Sequence, residues 1–336
     1  MESEHADSRW LDAAAALCER AIPASLPNPP VGAILVRDGI VVGRGWTQPG
    51  GRPHAEAVAL QQAGELAAGA TLYVTLEPCA HRGTRGPACA DLASAAGLAR
   101  VVVGVGDPDP RTAGEGAARL RNAGAEVAIL DHEASGEKLA PYLVRRQLAR
   151  PFVTLKLAVS ADGFIAPLSG EPVTITGPIA RAHVHRERAR CDAILVGGAT
   201  LRGDMPRLDV RLPGLEDRSP QRFVLSAEPA PDGWTRVAAP SAIAALTDLQ
   251  HIYVEGGGKT AEAFMLAGLV DRLMLYRAPR ELGAGIPGFG GIGPAMEGLL
   301  ADTWRCIDTR RLGEDSLSVY RPLFNKPANQ SRNLGA

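Results

Sequence analysis

The stretch from Thr71 to Cys79, TLYVTLEPC, decides how the first half of this 336-residue chain folds. Its first six residues are apolar, aromatic or β-branched and predict a buried strand, which Pro78 ends next to a cysteine. Before it, Val31–Val36 and Ile40–Val42 predict a hairpin, and after it helix-like and strand-like runs alternate as far as residue 130. This alternation predicts an α/β fold with a mostly parallel sheet and helices on both faces.

Four residues around this strand have the identities that a hydrolytic zinc site needs. His54 and Glu56 form an H-x-E motif upstream, Cys79 follows a proline, and Cys89 lies ten residues further on. One imidazole and two thiolates would leave the fourth tetrahedral position of Zn²⁺ open for water. Glu56 could then carry protons between that water and a leaving amine. The order of these residues is the signature of zinc-dependent nucleobase deaminases. Buried structural thiols and a structural histidine are the ordinary alternative, but they do not explain all four residues together.

The composition excludes two classes of partner. The formal net charge is −1, and aromatic residues make up 4% of the chain, so neither a basic field nor stacking surfaces for nucleic acid are expected. No run approaches the roughly 20 apolar residues of a membrane span. Five cysteines, without an apolar signal segment in residues 1–20, predict free thiols in a reducing cytoplasm. We therefore expect a cytoplasmic protein that acts on small molecules.

The length of the chain predicts two domains of ordinary size. The alternating pattern dissolves into a polar, charged segment over residues 131–150, which places the predicted boundary near Leu148. The predicted domains are residues 1–147 and 148–324, and the polar tail at 325–336 is expected to be disordered. The second domain begins with a predicted strand at Phe152–Val159 and again alternates strands with helices.

Polar groups follow several predicted strands of the second domain. Lys156 interrupts an apolar strand, Asp204 follows another strand, and three glycines at 256–258 join a strand to a helix. Ligands of α/β proteins bind at the carboxyl ends of strands, and helix N-termini attract phosphate. Neither a Rossmann fingerprint nor a complete P-loop is present. A lysine that extends to solvent at a sheet edge and glycines of a tight turn are the structural alternatives.

Together these motifs resemble a known family. The matching pieces keep their order along the chain: Asn28–Gly32, His54–Glu56, Thr71–Cys79, Asp107–Pro110, Lys156–Gly163, Asp192–Gly197 and Val254–Gly257. The chain is similar to the bifunctional riboflavin-biosynthesis family that joins a diaminohydroxyphosphoribosylaminopyrimidine deaminase to a 5-amino-6-(5-phosphoribosylamino)uracil reductase. The resemblance implies an N-terminal cytidine-deaminase-like three-layer domain and a C-terminal dihydrofolate-reductase-like domain.

The resemblance also implies cofactors and site residues. Zinc would bind His54, Cys79 and Cys89, with Glu56 as the proton shuttle, and Lys156 and Asp204 would act in the reductase. The implied NADPH-binding residues are Ala158, Thr174, Thr200, Asp204, Ser226, Gly257, Gly258, Lys259 and Thr260. The implied substrate-binding residues are Asn28, His81, Pro172, Arg188, Leu208, Arg211 and Glu255. The substrate would be a small phosphorylated pyrimidine, and the protein would form a homodimer.

Three other interpretations remain open. A tRNA or free-base deaminase would share the zinc motif but would leave the second half of the chain unexplained. A deaminase with a degenerate reductase domain is compatible with Pro172 and Thr174, where the family carries serine and tryptophan, and with a short segment between Ser226 and His251. A non-catalytic nucleotide-binding regulator would have no need of a proton shuttle at Glu56.

Overall fold

A computed structural model describes residues 2–81, 86–169 and 173–323 of the chain. The chain divides into two compact units between Ala149 and Arg150. The tail expected to be disordered, residues 325–336, lies outside the described residues. No helix in the described ranges combines the length and the apolar character needed to cross a membrane.

The first unit is built on a five-stranded sheet in the order β2-β1-β3-β4-β5. Its helices are α1 Glu2–Ala21, α2 Ala55–Ala63, α3 Cys89–Ala95, α4 Glu115–Asn122 and α5 Glu133–Leu148. Its strands are β1 Gly32–Arg37, β2 Ile40–Trp46, β3 Thr71–Leu76, β4 Arg100–Val105 and β5 Glu126–Ile129. Strands β3, β4 and β5 are parallel, whereas β1 is antiparallel to both of its neighbours. The sheet is therefore mixed and not mostly parallel as predicted, because β1, in the hairpin at one end of the sheet, runs in the opposite direction to the other strands.

Alternate residues of these strands fill two separate cores, one on each face of the sheet. Ile34 and Tyr73 pack on one face with Leu11 and Ala14 of α1. The residues directly before and after Ile34 and Tyr73 pack on the other face of the sheet, with the buried alanines of α2. Gly32 lets α1 approach the sheet closely, because a Cβ at this position would lie 2.0 Å from the carbonyl oxygen of Ala14. The central strands are thus covered on both sides, as their apolar sequences require.

The second unit contains an eight-stranded sheet in the order β10-β9-β8-β11-β6-β12-β15-β14 and a two-stranded sheet of β13 and β7. Its strands are β6 Phe152–Val159, β7 Phe164–Pro167, β8 Ala193–Gly197, β9 Gln221–Leu225, β10 Thr235–Val237, β11 His251–Val254, β12 Arg272–Arg277, β13 Gly285–Pro287, β14 Trp304–Leu312 and β15 Asp315–Pro322. Its helices are α6 Pro178–Arg188, α7 Gly198–Asp204, α8 Gly258–Leu266 and α9 Met296–Thr303. The first six strands in the sheet order are parallel, so their carboxyl ends meet at one edge.

A buried ion pair fixes the beginning of β6. The guanidinium of Arg150 donates two hydrogen bonds to the carboxylate of Asp271, over 2.6 and 2.8 Å. The same carboxylate accepts a hydrogen bond from the backbone amide of Val153 over 2.8 Å. Both charges are therefore paired where water is excluded, which is the condition under which a buried ion pair can be tolerated.

Candidate functional site

The three predicted zinc ligands lie together in the first unit. His54 is the N-cap residue of α2, Cys79 follows β3, and Cys89 begins α3. The Nδ1 atom of His54 is 3.3 Å from the Cys89 sulfur and 3.6 Å from the Cys79 sulfur. One ligand atom from each residue lies within 4.8 Å of the other two. The fold therefore brings one imidazole and two sulfurs to a single point.

The electrostatics of these side chains fit a zinc ion. The hydrogen bond from the Cys89 thiol lowers the pKa of Cys79 to about 4, and the His54 ring adds to this effect, so Cys79 is a thiolate at neutral pH. Burial opposes protonation of His54, but its hydrogen bond with Cys79 raises its pKa. A thiolate, an imidazole and a second sulfur form the donor set of a catalytic Zn²⁺ site that keeps one position open. The residues present thus match the metal that the motif predicts.

Glu56 is buried in the first turn of α2. Burial raises the pKa of Glu56 to about 6, which suits a group that must both accept and release a proton near neutral pH. Glu56 lines a cavity of about 250 Å³ together with His54 and Cys79. Asn28 and His81, the predicted substrate-binding residues of this domain, line the same cavity. The side-chain nitrogen of Asn28 is 2.9 Å from Nε2 of His54, so it can also fix the orientation of the ring.

Another part of the cavity wall was not assigned a role from the sequence. This part is formed by Glu77, Asp107, Asp109, Arg111, Tyr142 and Arg146. The Glu77 carboxylate accepts hydrogen bonds from the backbone amides of Asp107, Gly114 and Ala117, over 3.3, 3.1 and 3.0 Å. The available signal was the run Asp107–Pro110 directly after β4, since the carboxyl ends of parallel strands carry binding residues.

Three predicted residues of the reductase meet in the second unit. Lys156 lies on β6, and Glu255 directly follows the neighbouring strand β11. The Arg188 guanidinium donates to both Glu255 oxygens over 2.6 and 2.9 Å, and the Lys156 nitrogen is 3.9 Å from one of them. Burial lowers the pKa of Lys156. Burial opposes ionisation of Glu255, but the Arg188 hydrogen bonds and the charge of Lys156 lower its pKa below the usual value. The carboxylate thus holds two cations in fixed positions.

Leu208 and Arg211 belong to the loop after α7, which packs against α6. The Arg188 guanidinium donates to the carbonyl of Asp209 over 3.1 Å, and the Arg211 amide lies 3.3 Å from Nδ1 of His185. Leu208 is buried, whereas the Arg211 guanidinium is largely exposed. The structure therefore places these two predicted substrate residues next to the group around Glu255.

Most predicted NADPH-binding residues lie at the carboxyl ends of four parallel strands. They are Ala158 at β6, Thr200 after β8, Ser226 after β9, and Gly257, Gly258, Lys259 and Thr260 after β11. A Cβ at Gly257 would lie 3.9 Å from the Thr200 hydroxyl, and one at Gly197 would lie 2.2 Å from the Thr260 hydroxyl. Two strand–helix junctions therefore approach each other closely at this edge. Such an edge is where α/β sheets bind ligands.

The remaining predicted residues of the reductase have other positions. Asp204 is the last residue of α7, and its side chain is exposed. Thr174 is also exposed, and its carbonyl accepts a hydrogen bond from Arg280 over 3.2 Å. Pro172 lies outside the described residues. A short strand, β10, and a 3-10 helix at Pro240–Ala245 occupy the short segment between Ser226 and His251.

Comparisons with known proteins agree with the two predicted domain types. Residues 4–105 match the model of the cytidine and deoxycytidylate deaminase zinc-binding region, and residues 151–318 match the RibD C-terminal domain. The riboflavin biosynthesis protein RibD of Escherichia coli is 36% identical over 359 residues, which cover 92% of this chain and 97% of the relative. RibD of Mycobacterium tuberculosis is 37% identical, with 87% and 90% of the two chains covered.

Solved structures are similar over almost the whole chain. Acinetobacter baumannii RibD is 31% identical with a TM-score of 0.83, and 94% of this chain and 98% of the other are covered. A Thermotoga maritima deaminase/reductase is 28% identical with a TM-score of 0.82, covering 95% and 99%. The expected cytidine-deaminase-like and dihydrofolate-reductase-like domains are thereby confirmed. With both domains matched in order, this chain belongs to the RibD family of bifunctional deaminase and reductase enzymes of riboflavin biosynthesis, which require Zn²⁺ and NADPH.

Proposed function

We propose that the first domain, residues 1–147, deaminates 2,5-diamino-6-(5-phosphoribosylamino)pyrimidin-4(3H)-one. We propose that the second domain, residues 148–324, reduces the ribosyl group of the resulting 5-amino-6-(5-phosphoribosylamino)uracil to ribityl. The observation that carries this proposal is the meeting of His54, Cys79 and Cys89 beside the buried carboxyl group of Glu56. The pathway is supported by the matched RibD proteins, which are riboflavin biosynthesis proteins, and by the Thermotoga maritima protein, which is a deaminase and reductase of these two substrates.

In the deaminase, the residues of the chain bind the pyrimidine and move protons. When bound, zinc acidifies a water molecule so that it is nucleophilic at neutral pH. Glu56 would take a proton from the attacking water and pass it to a ring nitrogen. It would then take the proton of the new hydroxyl group and pass it to the amine, which leaves as ammonia while a ring carbonyl forms. Asn28 holds the orientation of His54, and Asn28 and His81 contact the substrate from the cavity wall.

In the reductase, the cofactor supplies a hydride for C1′ of the sugar. Lys156, held by Glu255, would donate a hydrogen bond or proton to the sugar oxygen as the ring opens, and Asp204 would assist. The substrate contacts would come from Pro172, Arg188, Leu208, Arg211 and Glu255. The NADPH contacts would come from Ala158, Thr174, Thr200, Asp204, Ser226, Gly257, Gly258, Lys259 and Thr260.

A coupled assay tests both halves of this proposal. The zinc-loaded protein receives the diaminopyrimidine phosphate and NADPH, and the release of ammonia and the oxidation of NADPH are followed separately. Glu56→Gln should retain stoichiometric zinc but lose ammonia release, because the amide cannot shuttle protons. Glu65→Gln, an exposed residue of the same unit, serves as the control. Substantial ammonia release by Glu56→Gln would contradict the role of this residue.

The same assay separates the other interpretations. Ammonia release without NADPH oxidation would indicate a deaminase whose reductase domain is degenerate. Zinc binding without either reaction would indicate the non-catalytic regulator. Oxidation of NADPH by supplied deaminated substrate, abolished in Lys156→Ala, would support the complete bifunctional assignment.

We also propose that the protein works in the cytoplasm as a homodimer. None of the five cysteines, all of which the structure describes, forms a disulfide, as expected in a reducing compartment: Cys18, Cys79, Cys89 and Cys191 are buried, and Cys306 is exposed. The dimer rests on the family resemblance alone. A measurement of molecular mass in solution by light scattering tests it, and a monomer at micromolar concentration would refute it.

A further inference from the structure

Two arginines at the deaminase cavity share one buried carboxylate. Asp109 accepts hydrogen bonds from Nε and Nη2 of Arg111 over 3.0 and 2.6 Å, and Nη2 of Arg146 lies 3.2 Å from the same carboxylate. The Asp109 side chain is 4% exposed, whereas those of Arg111 and Arg146 are 58% and 40% exposed. All three line the cavity that contains His54 and Cys79. The negative charge is thus covered, while both guanidinium groups remain accessible.

The neighbouring carboxylates of Asp107 and Glu77 accept hydrogen bonds from other donors. Asp107 accepts hydrogen bonds from the Tyr142 hydroxyl over 2.9 Å and from the Asp109 amide over 3.0 Å. The Glu77 carboxylate is occupied by three backbone amides. Both guanidinium groups are therefore held through Asp109, and the side chains of both remain partly exposed.

The arrangement also fixes where these cations lie. The guanidinium carbon of Arg146 lies 5.4 Å from the centre of the Tyr142 ring. The backbone amide of Arg111 donates to the Asp109 carboxylate over 3.0 Å, in addition to the side-chain contacts. In an ordinary surface ion pair both partners are solvated and the pair contributes little. Here the anion is buried and the two planar donors are held in place, which is the geometry that suits a phosphate dianion.

We propose that Arg111 and Arg146 form a subsite for the 5-phosphate of the pyrimidine substrate in the deaminase domain. This inference rests on the proposed function, because the substrate ring must lie beside His54 while its phosphate reaches the arginines along one cavity. The subsite would select the phosphorylated ribosylaminopyrimidine over the corresponding nucleoside. It would act through binding and take no part in proton transfer.

The experiment compares ammonia release from the phosphorylated substrate and from its dephosphorylated counterpart. Arg111→Gln and Arg146→Gln should each lower kcat/KM for the phosphorylated substrate by about 10- to 100-fold, the usual range for a hydrogen bond to a charged group. Both variants should deaminate the dephosphorylated substrate with the same kcat/KM as the wild type. Ribose 5-phosphate should inhibit the wild type competitively and inhibit both variants at least about tenfold more weakly. Ammonia reports on the deaminase alone, so phosphate binding by the reductase does not interfere.

Two further variants complete the design. Arg121→Gln removes an exposed arginine of α4 that does not line the cavity, and it should leave both substrates and the inhibition unchanged. Arg146→Lys keeps the charge and should recover part of the lost affinity. Equal losses of kcat/KM for both substrates, or unchanged inhibition of the variants by ribose 5-phosphate, would overturn the subsite. In that case ammonia release by the wild type would still support the proposed function. Absence of ammonia from either substrate in the wild type would instead refute the proposed function itself.

Discussion

Glu77 provides a quantitative test of how the deaminase cavity is held together. Its buried carboxylate accepts three backbone hydrogen bonds, from the residues directly after β4 and at the start of α4. In Glu77→Gln, one oxygen is replaced by an amide group that is itself a donor. At least one backbone amide then loses its acceptor, and the others lose a charged partner. Charge-assisted hydrogen bonds and unsatisfied buried donors predict a loss of about 2–4 kcal/mol in the free energy of unfolding of the first domain.

Urea unfolding of the zinc-loaded protein, followed by far-ultraviolet circular dichroism, measures this loss. Hydrogen exchange then locates it, because the amides of Asp107, Gly114 and Ala117 should exchange faster in the variant. Glu115→Gln is the matched control, since Glu115 lies in the same segment with an exposed side chain. If Glu77→Gln were as stable as the control and equally protected, the carboxylate would not be organising this wall.

Two other changes test closely packed positions, one in each unit. A Cβ at Gly116 would lie 2.0 Å from the carbonyl oxygen of Pro78. Gly116→Ala should therefore displace the backbone next to Cys79 and slow ammonia release about 10- to 100-fold. Gly136→Ala, where a Cβ meets no atom closer than 4.0 Å, should leave the rate of ammonia release unchanged. Burial lowers the pKa of His251 to about 3, so the folded protein does not take up the proton that the unfolded chain binds below a pH of about 6.5. Lowering the pH from 7 to 5 should therefore destabilise the wild type by about 2 kcal/mol more than His251→Gln in urea unfolding, and equal pH dependence would contradict this.

The best-predicted parts of the fold are the segments whose sequence is compatible with only one type of secondary structure. Strand β3 has the predicted bounds, Thr71–Leu76, because apolar residues cover both of its faces and a proline ends it. The edge strand Trp304–Leu312 was missed because polar residues occupy both of its faces and a bulge between Cys306 and Asp308 breaks the alternation. Helix α7 was missed because two glycines in Gly198–Asp204 oppose a helix prediction.

The zinc site was predictable for a different reason. The identities of His54, Glu56, Cys79 and Cys89 are dictated by metal chemistry, so they are recognisable before any packing is known. The arginine pair was not predictable in this way. Arg146 lies near the end of α5, and only the packing of that helix brings it to Asp109. Long-range ion pairs of this kind leave no local pattern in a sequence.

The burial of the thiols has a practical consequence for spectroscopy. Burial raises the pKa of Cys18 to about 11 and that of Cys191 well above its usual value, so both are unreactive at neutral pH. Metal loading would occupy the sulfurs of Cys79 and Cys89. Cys306 is then the natural attachment point for a fluorophore or spin label. It belongs to the outermost strand β14, which β12 and β15 separate from β6 and the strands beyond it, so a probe there would report on the second unit at a distance from the predicted reductase residues on those strands.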